Sequence, residues 1–532
     1  MSGVGKGVAS ASIGMLLESK GYKVNMVKVD PYLNVDAGTM NPTEHGEVFV
    51  LDSGLETDQD MGNYERFIGR DVDTTGYMTS GMVYKTVLDK ERALGYGGKC
   101  VEAIPDIRDE IITRLKKAGE NVKSDISVVE IGGTVGDYQN IMFIEAARVL
   151  KIRNPKDVIF IMVSYMPMPS TLGEMKSKPT QNAIRQLNSY GVTTDIVIAR
   201  SSTAIDDKRK EKIANSCSIL KEQVISAPNV ESIYEVPLNF EKDGLSDTIL
   251  KLLSLKSKKT DIKDWQDFVE KAKKPKKEVS VAVVGKYFDS GDGVLSDAYI
   301  SVIEAVKISA IANSAKVNLT WIDSKDFEKD PKQISSLKNF DGVIVPGGFG
   351  QTGIEGIIQT IKFTRENKIP YFGLCYGMQL MVIEYARNVL GLKDANTAEI
   401  NPKAKDVVID IMPDQKQKLK EGNYGGSMRL GAYKAKLKKG TIAESAYGAS
   451  EIVERHRHRY EVNPEYIKQI EDKGLVFSGV SPDGTLMEIA ELPKDKHPFF
   501  LGTQYHPEFL ARPLAPHPLF SEFVKATLRA KK

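Results

Sequence analysis

The amino-acid sequence predicts an α/β protein in which parallel sheets are covered by helices. Short apolar runs rich in valine and isoleucine are separated by stretches whose apolar residues follow helical spacing. Strands that alternate with helices in this way are typical of parallel sheets. The pattern starts again near residue 279, and 532 residues are too many for one hydrophobic core. We therefore expect two large domains of the same class.

The individual strands are predicted from apolar runs of four to eight residues. In the first half they are Lys23–Val29, Ser127–Ile131, Val158–Val163 and Asp195–Ala199, with helical patterns at Ala9–Lys20, Ile107–Lys117 and Pro179–Ser189. In the second half they are Val279–Val284, Asp341–Val345, Pro370–Leu374 and Leu501–Gln504. Residues that follow such strands are candidates for function, because ligands of parallel sheets bind at the carboxyl ends of the strands.

A lysine-rich segment separates the two halves. Residues 256–278 are apolar only at Trp265, Phe268 and Val269, which predicts an amphipathic linker helix that ends at Pro275. The predicted domains are therefore residues 1–255 and 279–532.

Composition limits the class of protein. Seventy-three lysines and arginines face 71 acidic residues, so a net charge of +2 gives no reason to expect a nucleic acid or a membrane surface as partner. Cys100, Cys217 and Cys375 are too few for a disulfide framework or a four-thiolate metal site. No apolar run reaches the length that spans a bilayer. We expect a cytoplasmic protein without a membrane segment.

The N-terminal residues have the composition of a phosphate loop. Gly3-Val4-Gly5-Lys6-Gly7-Val8 precedes a helical pattern, and glycine N–H groups, a lysine and a helix N-terminus together bind phosphate. The leading glycine and the preceding strand of this motif are absent from the sequence. On the fragment alone, nucleotide binding and a plain flexible turn are equally open.

Charged residues at other predicted strand and helix ends favour the nucleotide site. Glu130 ends an apolar strand and Asp60 lies in an acidic loop, so both are candidates to hold magnesium near phosphates. Lys28 ends another strand. Lys176 and Lys178 precede a helix, where positive charge is unfavourable unless an anion offsets it, which suggests a second phosphate group. Each acidic residue alone could equally be a solvated loop residue or a helix cap.

The second half contains the parts of a nucleophilic triad. Cys375 lies between an apolar strand and a helix in a glycine-flanked turn, and His506 and Glu508 follow another strand. Cysteine, histidine and a carboxylate suffice for acyl transfer, and the Gly347-Gly348 turn can supply N–H donors to an oxyanion. A buried, inert cysteine is the alternative. His456 and His458 are as easily explained by a polar strand face.

Longer segments resemble a known family. Residues 30–50, 56–67, 129–137 and 176–182 are similar to the CTP synthase family, and the second half resembles the class I glutamine amidotransferase domain. The resemblance implies a P-loop-type synthetase domain followed by a flavodoxin-like α/β amidotransferase domain. It also implies that ATP phosphorylates UTP and that ammonia from glutamine displaces the phosphate to give CTP.

The resemblance assigns roles to residues of this chain. The positions for ATP are Gly3, Val4, Gly5, Lys6, Gly7, Val8, Lys28 and Asp60, with Mg2+ at Asp60 and Glu130. The positions for UTP or CTP are Ser2, Asp137, Tyr138, Gln139, Lys176, Ser177, Lys178, Pro179, Thr180, Gln181 and Lys212. Those for L-glutamine are Gly347, Gly348, Tyr376, Gly377, Met378, Gln379, Glu399 and Arg459, around the triad Cys375, His506 and Glu508. The family acts as a homotetramer activated by GTP.

Four departures from the family pattern carry expectations. The first strand is missing, which suggests a truncated start. Gln139 stands where the family often has a carboxylate, so weaker CTP feedback is expected. Thr352 replaces an arginine, which predicts weak GTP stimulation, and Tyr376 replaces a leucine. The alternatives are another P-loop amidoligase with a fused glutaminase, or an N-terminally impaired homologue that acts as a glutaminase or a structural subunit.

Overall fold

The computed structural model describes residues 3–169, 173–286, 296–422 and 424–530. The strands are β1 (Val24–Asp30), β2 (Val48–Val50), β3 (Glu56–Asp58), β4 (Tyr77–Thr79), β5 (Ile126–Ile131), β6 (Ile161–Tyr165), β7 (Ile196–Ser201), β8 (Val224–Pro228), β9 (Lys277–Gly285), β10 (Ala315–Asp323), β11 (Gly342–Val345), β12 (Tyr371–Leu374), β13 (Asn396–Thr397), β14 (Val407–Ile411), β15 (Arg429–Leu437), β16 (Glu451–His458), β17 (Tyr460–Val462), β18 (Val476–Val480), β19 (Met487–Glu491) and β20 (Phe500–Thr503).

The helices are α1 (Lys6–Ser19), α2 (Pro42–His45), α3 (Asp60–Ile68), α4 (Ser80–Arg92), α5 (Arg108–Val122), α6 (Ile141–Arg153), α7 (Lys178–Ser189), α8 (Asp207–Cys217), α9 (Val236–Lys242), α10 (Leu245–Leu252), α11 (Lys263–Lys273), α12 (Ile300–Ala312), α13 (Ser324–Lys329), α14 (Ile354–Asn367), α15 (Tyr376–Tyr385), α16 (Pro413–Lys420), α17 (Ile442–Tyr447), α18 (Pro464–Glu471) and α19 (Pro518–Ala530). Across the described ranges, no helix is both long and apolar enough to cross a membrane.

The chain divides into two compact units. The first unit contains Met1–Asp36 and Asn63–Val269, and the second contains Ala37–Gly62 and Glu270–Lys532. The division into residues 1–255 and 279–532 with a linker between them stays a prediction, and the compact units add two observations to it. Residues 37–62 pack with the C-terminal half, and most of the predicted linker helix packs with the N-terminal half.

The first unit contains two parallel sheets, as the α/β pattern predicts. Their strand orders are β4-β1-β5 and β6-β7-β8. Strand β1 is buried along its whole length, and its residues are apolar except for Asn25, Lys28 and the last one, Asp30. Within the described residues, β5 and β6 each pair with a neighbour on one side only.

A cavity of about 750 Å³ lies in this unit and is lined by residues of both β5 and β6. Val4 and Lys6 of the glycine loop also line it. The expectation that the family's first strand is missing stays a prediction.

Helix α11 is held in the first unit by an aromatic cluster. Trp265, Phe268 and Val269 are buried, and the Trp265 indole N–H donates to the Tyr234 carbonyl oxygen over 2.8 Å. The ring centroids of Trp265 and Phe67 lie 5.3 Å apart. The three apolar residues that suggested an amphipathic helix therefore form its packed face, and the lysines remain solvated.

The second unit is built on a nine-stranded sheet of order β10-β9-β11-β12-β20-β19-β18-β15-β16. The first five strands are parallel, as expected for a flavodoxin-like core, and the remaining ones are antiparallel. Alternate residues of β9 serve opposite faces: Val281 and Val283 pack with the α12 and α19 core, whereas Ala282 and Val284 pack with the α14 core. Strands β12 and β20 are neighbours, which brings their carboxyl ends together.

Residues 37–62 attach to the second unit through buried polar contacts. The Glu47 carboxylate accepts from the backbone N–H of Ser301 at the start of α12, over 3.1 Å. The Glu56 carboxylate accepts from Arg457 Nε over 2.8 Å, and Arg455 donates to the Val50 carbonyl oxygen over 3.1 Å. Both arginines lie on β16, so this strand anchors the segment.

Candidate functional site

Cys375 occupies a strained turn between β12 and α15. Its φ of 49° and ψ of −96° fall in a region that L-residues rarely adopt, and its N–H donates to the Thr503 carbonyl oxygen of β20 over 2.6 Å. The flanking glycines are needed for close approach, since a Cβ at Gly377 would lie 2.4 Å from the Val345 oxygen. The turn places the sulfur at the N-terminus of α15, as the sequence predicts for a nucleophile elbow.

His506 and Glu508 follow β20 and form the rest of the predicted triad. The Nδ1 atom of His506 lies 2.7 Å from Glu508 Oε1, and Phe509 stacks on the imidazole with 5.1 Å between centroids. The other ring nitrogen, Nε2, is buried and makes no hydrogen bond within the described residues. The carboxylate therefore orients the imidazole and leaves Nε2 for the reacting groups.

The electrostatics of His506 favour its charged form. Burial lowers the pKa of His506, but the negative charges of Glu508 and the Cys375 sulfur outweigh burial and raise the pKa to about 10. At neutral pH the imidazole is therefore protonated, and Nε2 carries a proton that it can give to a leaving group.

The glycine turn after β11 is fixed on both sides of Gly350. Its N–H donates to Glu399 Oε1 over 2.8 Å, and its carbonyl oxygen accepts from the Tyr376 hydroxyl over 3.0 Å and from Lys286 Nζ over 2.5 Å. Lys286 also lies 4.4 Å from the centre of the Tyr376 ring. Tyr376, whose benefit the sequence does not reveal, thus holds the turn that contains Gly347 and Gly348.

Burial shifts the ionisation of both charged groups at this turn. The pKa of Lys286 is lowered to about 8 by burial, which the charges of Glu399 and Glu328 only partly oppose. The pKa of Glu399 is raised by burial, against the opposing effects of the Gly350 N–H and Lys286.

A cavity of about 90 Å³ joins these groups. Its lining includes Cys375, His506, Glu508, Gly347 and Gly348. Pro42 and Val48 from the attached segment 37–62 line it as well. The structure thus brings the predicted triad and the glycine turn into one cavity.

Other residues predicted to bind glutamine have different surroundings. Met378 and Gln379 are buried below the elbow, and Gln379 donates to the Tyr460 carbonyl oxygen over 3.0 Å. Arg459 is half-buried and donates to Gln415 Oε1 over 2.8 Å and to Ser427 Oγ over 3.0 Å. Burial lowers the pKa of Arg459.

The pair His456 and His458 lies on strand β16, and both side chains are buried. Their ring nitrogens Nδ1 and Nε2 lie 3.1 Å apart, and Arg429 lies beside them with its guanidinium 2.8 Å from Glu488. Burial, followed by the charge of Arg429, lowers the pKa of His458 to about 3. Both imidazoles are therefore neutral structural groups of the core.

In the first unit, the glycine loop takes the conformation that its composition predicts. Gly3 and Gly5 have φ of 70° and 82°, and α1 begins directly after Gly5 at Lys6. The Lys6 ammonium donates to the Gly133 carbonyl oxygen over 3.0 Å. Glycine permits the left-handed backbone that opens the helix N-terminus towards an anion. Ser2 lies outside the described residues.

A buried charge cluster lies where β1 and β5 end. Lys28 Nζ is 3.1 Å from Glu130 Oε1 and 3.6 Å from Asp30 Oδ1, and the Tyr64 hydroxyl donates to Glu130 Oε2 over 2.5 Å. Lys28 pairs directly with Glu130 in the strand register. The predicted convergence of these two strand ends is thus present.

The donor chemistry around Glu130 fits magnesium together with phosphate oxygens, because Mg2+ is usually bound by one or two carboxylates plus substrate phosphates and waters. Asp60 is the first residue of α3, and its N–H donates to Asp58 Oδ1 over 2.9 Å. In the described ranges of the chain, no group of three or more histidine, cysteine or acidic residues could hold a metal ion by itself. The carboxylates alone therefore do not make a complete cage.

The predicted pyrimidine-nucleotide residues fall into two groups. Thr180 and Gln181 are buried in α7, where Thr180 Oγ1 lies 3.0 Å from Ser164 Oγ and Gln181 donates to Ser177 Oγ over 3.1 Å. Exposed or half-exposed residues form the other group: Asp137, Tyr138, Gln139, Lys176, Lys178, Pro179 and Lys212. The buried members position the start of α7, and the lysines stand at the surface.

Sequence reasoning missed several residues of both sites. Arg200 is the penultimate residue of β7, and a Cβ at Gly5 would lie 3.9 Å from its Nε, which places a guanidinium beside the glycine loop. Lys286 contacts the glycine turn at the Gly350 carbonyl oxygen. Gln504 contacts the Cys375 sulfur. Gln504 directly follows an apolar strand, and this position was the only signal for it in the sequence.

Two family patterns cover most of the chain. The family described as CTP synthase N-terminus matches residues 1–255, and the family described as glutamine amidotransferase class-I matches residues 294–526. A CTP synthase of Carboxydothermus hydrogenoformans is 48% identical over 100% of this chain and 98% of its own length. The chain belongs to the CTP synthase family.

A second relative agrees with this assignment. A CTP synthase of Methanocaldococcus jannaschii is 47% identical over 100% of this chain and 97% of its own length. The glutaminase domain of Trypanosoma brucei CTPS, solved with bound acivicin, is 36% identical, covers 47% of this chain and 94% of that chain, and has a TM-score of 0.43. As a family member, this chain is a ligase with a glutamine amidotransferase domain, as the sequence resemblance implied.

Proposed function

We propose that the second unit releases ammonia from L-glutamine and that the first unit uses this ammonia and ATP to convert UTP to CTP. The observation that carries the proposal is the cavity in which Cys375, His506, Glu508 and the Gly347-Gly348 turn meet. Membership of the CTP synthase family supports the coupling of this site to nucleotide chemistry.

In the glutaminase site, the Cys375 thiolate attacks the side-chain amide carbon of glutamine. The charge that develops on the amide oxygen is stabilised by N–H groups of the Gly347-Gly348 turn. His506 gives its Nε2 proton to the nitrogen that leaves as ammonia, and a thioester with Cys375 remains. His506 then takes a proton from water, whose oxygen attacks the thioester and releases glutamate. Glu508 holds the imidazole in the required orientation throughout.

Glutamine is positioned by charge at both ends of its backbone. Glu399 is proposed to receive the amino group and Arg459 the carboxylate. Tyr376, Gly377, Met378 and Gln379 shape the start of α15 beneath it. The turn that Glu399 holds through Gly350 is the same turn that contains the proposed oxyanion donors, so substrate binding and catalysis share one support.

In the synthetase site, residues 3–8 are proposed to surround the ATP phosphates, with Lys6 and Lys28 neutralising charge on the transferred phosphoryl group. Magnesium near Glu130 would supply Lewis-acid stabilisation of that charge. Phosphorylation of the 4-oxygen of UTP converts a poor leaving group into a good one, which ammonia then displaces.

The pyrimidine nucleotide is proposed to bind at the start of α7 and near residues 137–139. Ser2, Lys176, Ser177, Lys178, Pro179, Thr180, Gln181, Lys212, Asp137, Tyr138 and Gln139 form this proposed set. The exposed lysines offer charge for the triphosphate, and the buried Thr180 and Gln181 fix the helix that presents them. Gln139 lacks a carboxylate, which supports weak feedback by CTP.

The proposed assembly is a homotetramer in the cytoplasm, with GTP as an activator. A reducing compartment suits the mechanism because Cys375 acts as a free thiolate. Sedimentation velocity at several concentrations of nucleotide tests the tetramer.

The proposed function is tested by supplying ammonium chloride or glutamine to the chain with UTP, ATP and Mg2+. We expect CTP from both nitrogen sources. C375S should lose CTP formation from glutamine by about a thousandfold or more, since it removes the nucleophile, and should keep CTP formation from ammonia. Glutamine hydrolysis without CTP from either source would contradict the synthetase half of the proposal.

A further inference from the structure

A chain of two buried amides ends at the sulfur of Cys375. Gln504, fully buried after β20, places its Nε2 atom 3.6 Å from Cys375 Sγ. Its Oε1 atom accepts from Gln379 Nε2 over 3.2 Å, and Gln379 Nε2 also donates to the Tyr460 carbonyl oxygen over 3.0 Å. The two glutamines come from different elements, the loop after β20 and helix α15.

The backbone fixes the direction of this chain. The Tyr460 carbonyl oxygen can only accept, so the NH2 group of Gln379 has to face it. The second hydrogen of that NH2 group is directed at Gln504, so the Gln504 oxygen has to face Gln379. The NH2 group of Gln504 is then left to face the sulfur. The orientation of both amides therefore follows from the fact that the Tyr460 carbonyl oxygen needs a donor.

Besides the interaction with His506, the sulfur has two further partners, and each suits a different protonation state. As a thiol it can donate to the Arg457 carbonyl oxygen, which lies 3.8 Å away. As a thiolate it can only accept, and then Gln504 Nε2 is a donor that is already oriented, while the carbonyl oxygen repels it. A donor aimed at the sulfur consequently favours the nucleophilic form.

We propose that Gln504 is a catalytic residue of the glutaminase site that stabilises the Cys375 thiolate, with Gln379 as the positioning residue that fixes its amide. This inference rests on the proposed glutaminase function. It also gives Gln379 a role below the elbow in addition to any contact of its backbone with glutamine.

The experiment compares Q504M, which keeps the length of the side chain without a donor, with the wild-type chain and with Q469M as a matched control. Gln469 is exposed on α18 and donates only within its own helix, to the Glu465 carbonyl oxygen. Alkylation of Cys375 by iodoacetamide is followed across pH by mass spectrometry of its peptide, because Cys100 is exposed and also reacts.

We expect Q504M to move the midpoint of the alkylation curve up by about one pH unit or more, and to lower kcat/KM for glutamine by about ten- to a hundredfold, as for loss of a hydrogen bond to a charged group. CTP formation from ammonia should stay within about twofold of wild type, because ammonia bypasses the glutaminase site. Urea denaturation followed by the fluorescence of Trp321 reports whether the second unit of the variant is folded. Q469M should match wild type in all three measurements.

Two further variants keep the inference testable if Q504M fails to fold. Q504E preserves the shape but introduces a carboxylate, so it should raise the alkylation midpoint further. Q379E removes the group that fixes the amide and should give a smaller shift in the same direction.

An alkylation midpoint unchanged in a folded Q504M or Q504E would overturn the inference, and so would a rise in KM alone. Failure of the proposed glutaminase function is distinguishable, because the wild-type chain would then not hydrolyse glutamine, or C375S would hydrolyse it as fast as wild type. An inactive C375S together with a fully active Q504M would overturn only the role of Gln504.

Discussion

The two catalytic regions of this chain balance their charges in opposite ways. In the second unit, the reactive groups around Cys375 are already held by neutral or opposite partners: His506 by Glu508, Gly350 by Glu399, and the sulfur by Gln504. In the first unit, the lysines themselves are paired inside the protein: Lys28 with the carboxylates of Glu130 and Asp30, and Lys6 with the Gly133 carbonyl oxygen.

The difference follows from the chemistry proposed for each site. Glutamine is a small substrate whose reaction needs an activated nucleophile and a fixed acid, so that site is preorganised. A nucleoside triphosphate brings a large negative charge of its own. A site for it has to keep its cations neutralised by internal acids until phosphates and magnesium replace those partners.

Lys28→Met is the strongest way to break the first-unit half of this comparison. It removes the Lys28 charge from beside the buried Glu130 and Asp30, so we expect a loss of about 3 kcal/mol in the free energy of unfolding. CTP formation from ammonia should fall by more than about a hundredfold, while glutamine hydrolysis persists. Urea denaturation and the two rate assays measure this.

Lys23→Met is the matched control for that experiment, since Lys23 is an exposed lysine just before the same strand. It should leave stability and both rates near wild type. Equal effects of the two substitutions would mean that the buried cluster has no special role.

Glu508→Gln sharpens the second-unit half. In the wild type, His506 keeps its proton until pH rises through about 10. The rate of glutamine hydrolysis should therefore begin to fall on the alkaline side of its pH profile only near that pH. The stability contributed by charged His506 is fully present below its ordinary value near 6.5 and is lost as pH rises through about 10.

Removing the Glu508 charge deletes the largest influence that raises the pKa of His506, so the alkaline fall in rate should move to lower pH. The maximal rate should also fall by about tenfold or more. A stopped-flow assay of hydrolysis between pH 6 and about 10.5 records both effects. An alkaline fall in rate that stays at the same pH would show that Glu508 does not control the pKa of the His506 imidazole.

Tyr376→Phe is a milder change in the same unit. It removes the hydroxyl that donates to Gly350 but keeps the ring beneath Lys286. We expect kcat/KM for glutamine to fall about three- to tenfold, because one hydrogen bond to the oxyanion turn is lost. Tyr433→Phe, on a half-exposed tyrosine of β15, is the control. An undiminished rate would show that the Tyr376 hydroxyl is not needed to hold the oxyanion turn.

The smallest expected effect concerns GTP. Thr352 is exposed beside the glycine turn and cannot make the charged, forked contacts of an arginine. GTP should therefore raise glutamine-dependent CTP formation by less than about twofold, and Thr352→Arg should increase that stimulation. Strong stimulation of the wild-type chain would contradict this prediction.

The sequence predicts much of the fold because the apolar pattern records burial directly. Strand β9 extends only slightly beyond the predicted Val279–Val284, and α7 begins within one residue of its predicted start. Strand β6 is less well predicted: it runs from Ile161 to Tyr165, whereas the apolar run began at Val158. Its burial is partial, so periodicity marks its ends poorly.

The triad was predictable because a strand followed by a reactive residue places that residue at one edge of a parallel sheet. The attachment of residues 37–62 was not, since Glu56 and Arg457 are separated by 401 positions and nothing local records their contact. Gln504 escaped for a related reason: an amide has no distinctive pattern in sequence, and its role depends on which atoms surround it in space.

Each compact unit contains one tryptophan whose fluorescence can be followed, and the aromatic cluster around α11 makes the two tryptophans distinguishable. The chain has two tryptophans, Trp265 in the first unit and Trp321 in the second. Trp265 is buried among Tyr234, Phe67 and Phe268, whereas Trp321 is half-buried and stacked on Tyr299 at 6.4 Å. Their emission maxima should differ, with the buried indole at shorter wavelength. Fluorescence during denaturation therefore reports on each of the two units without any added label.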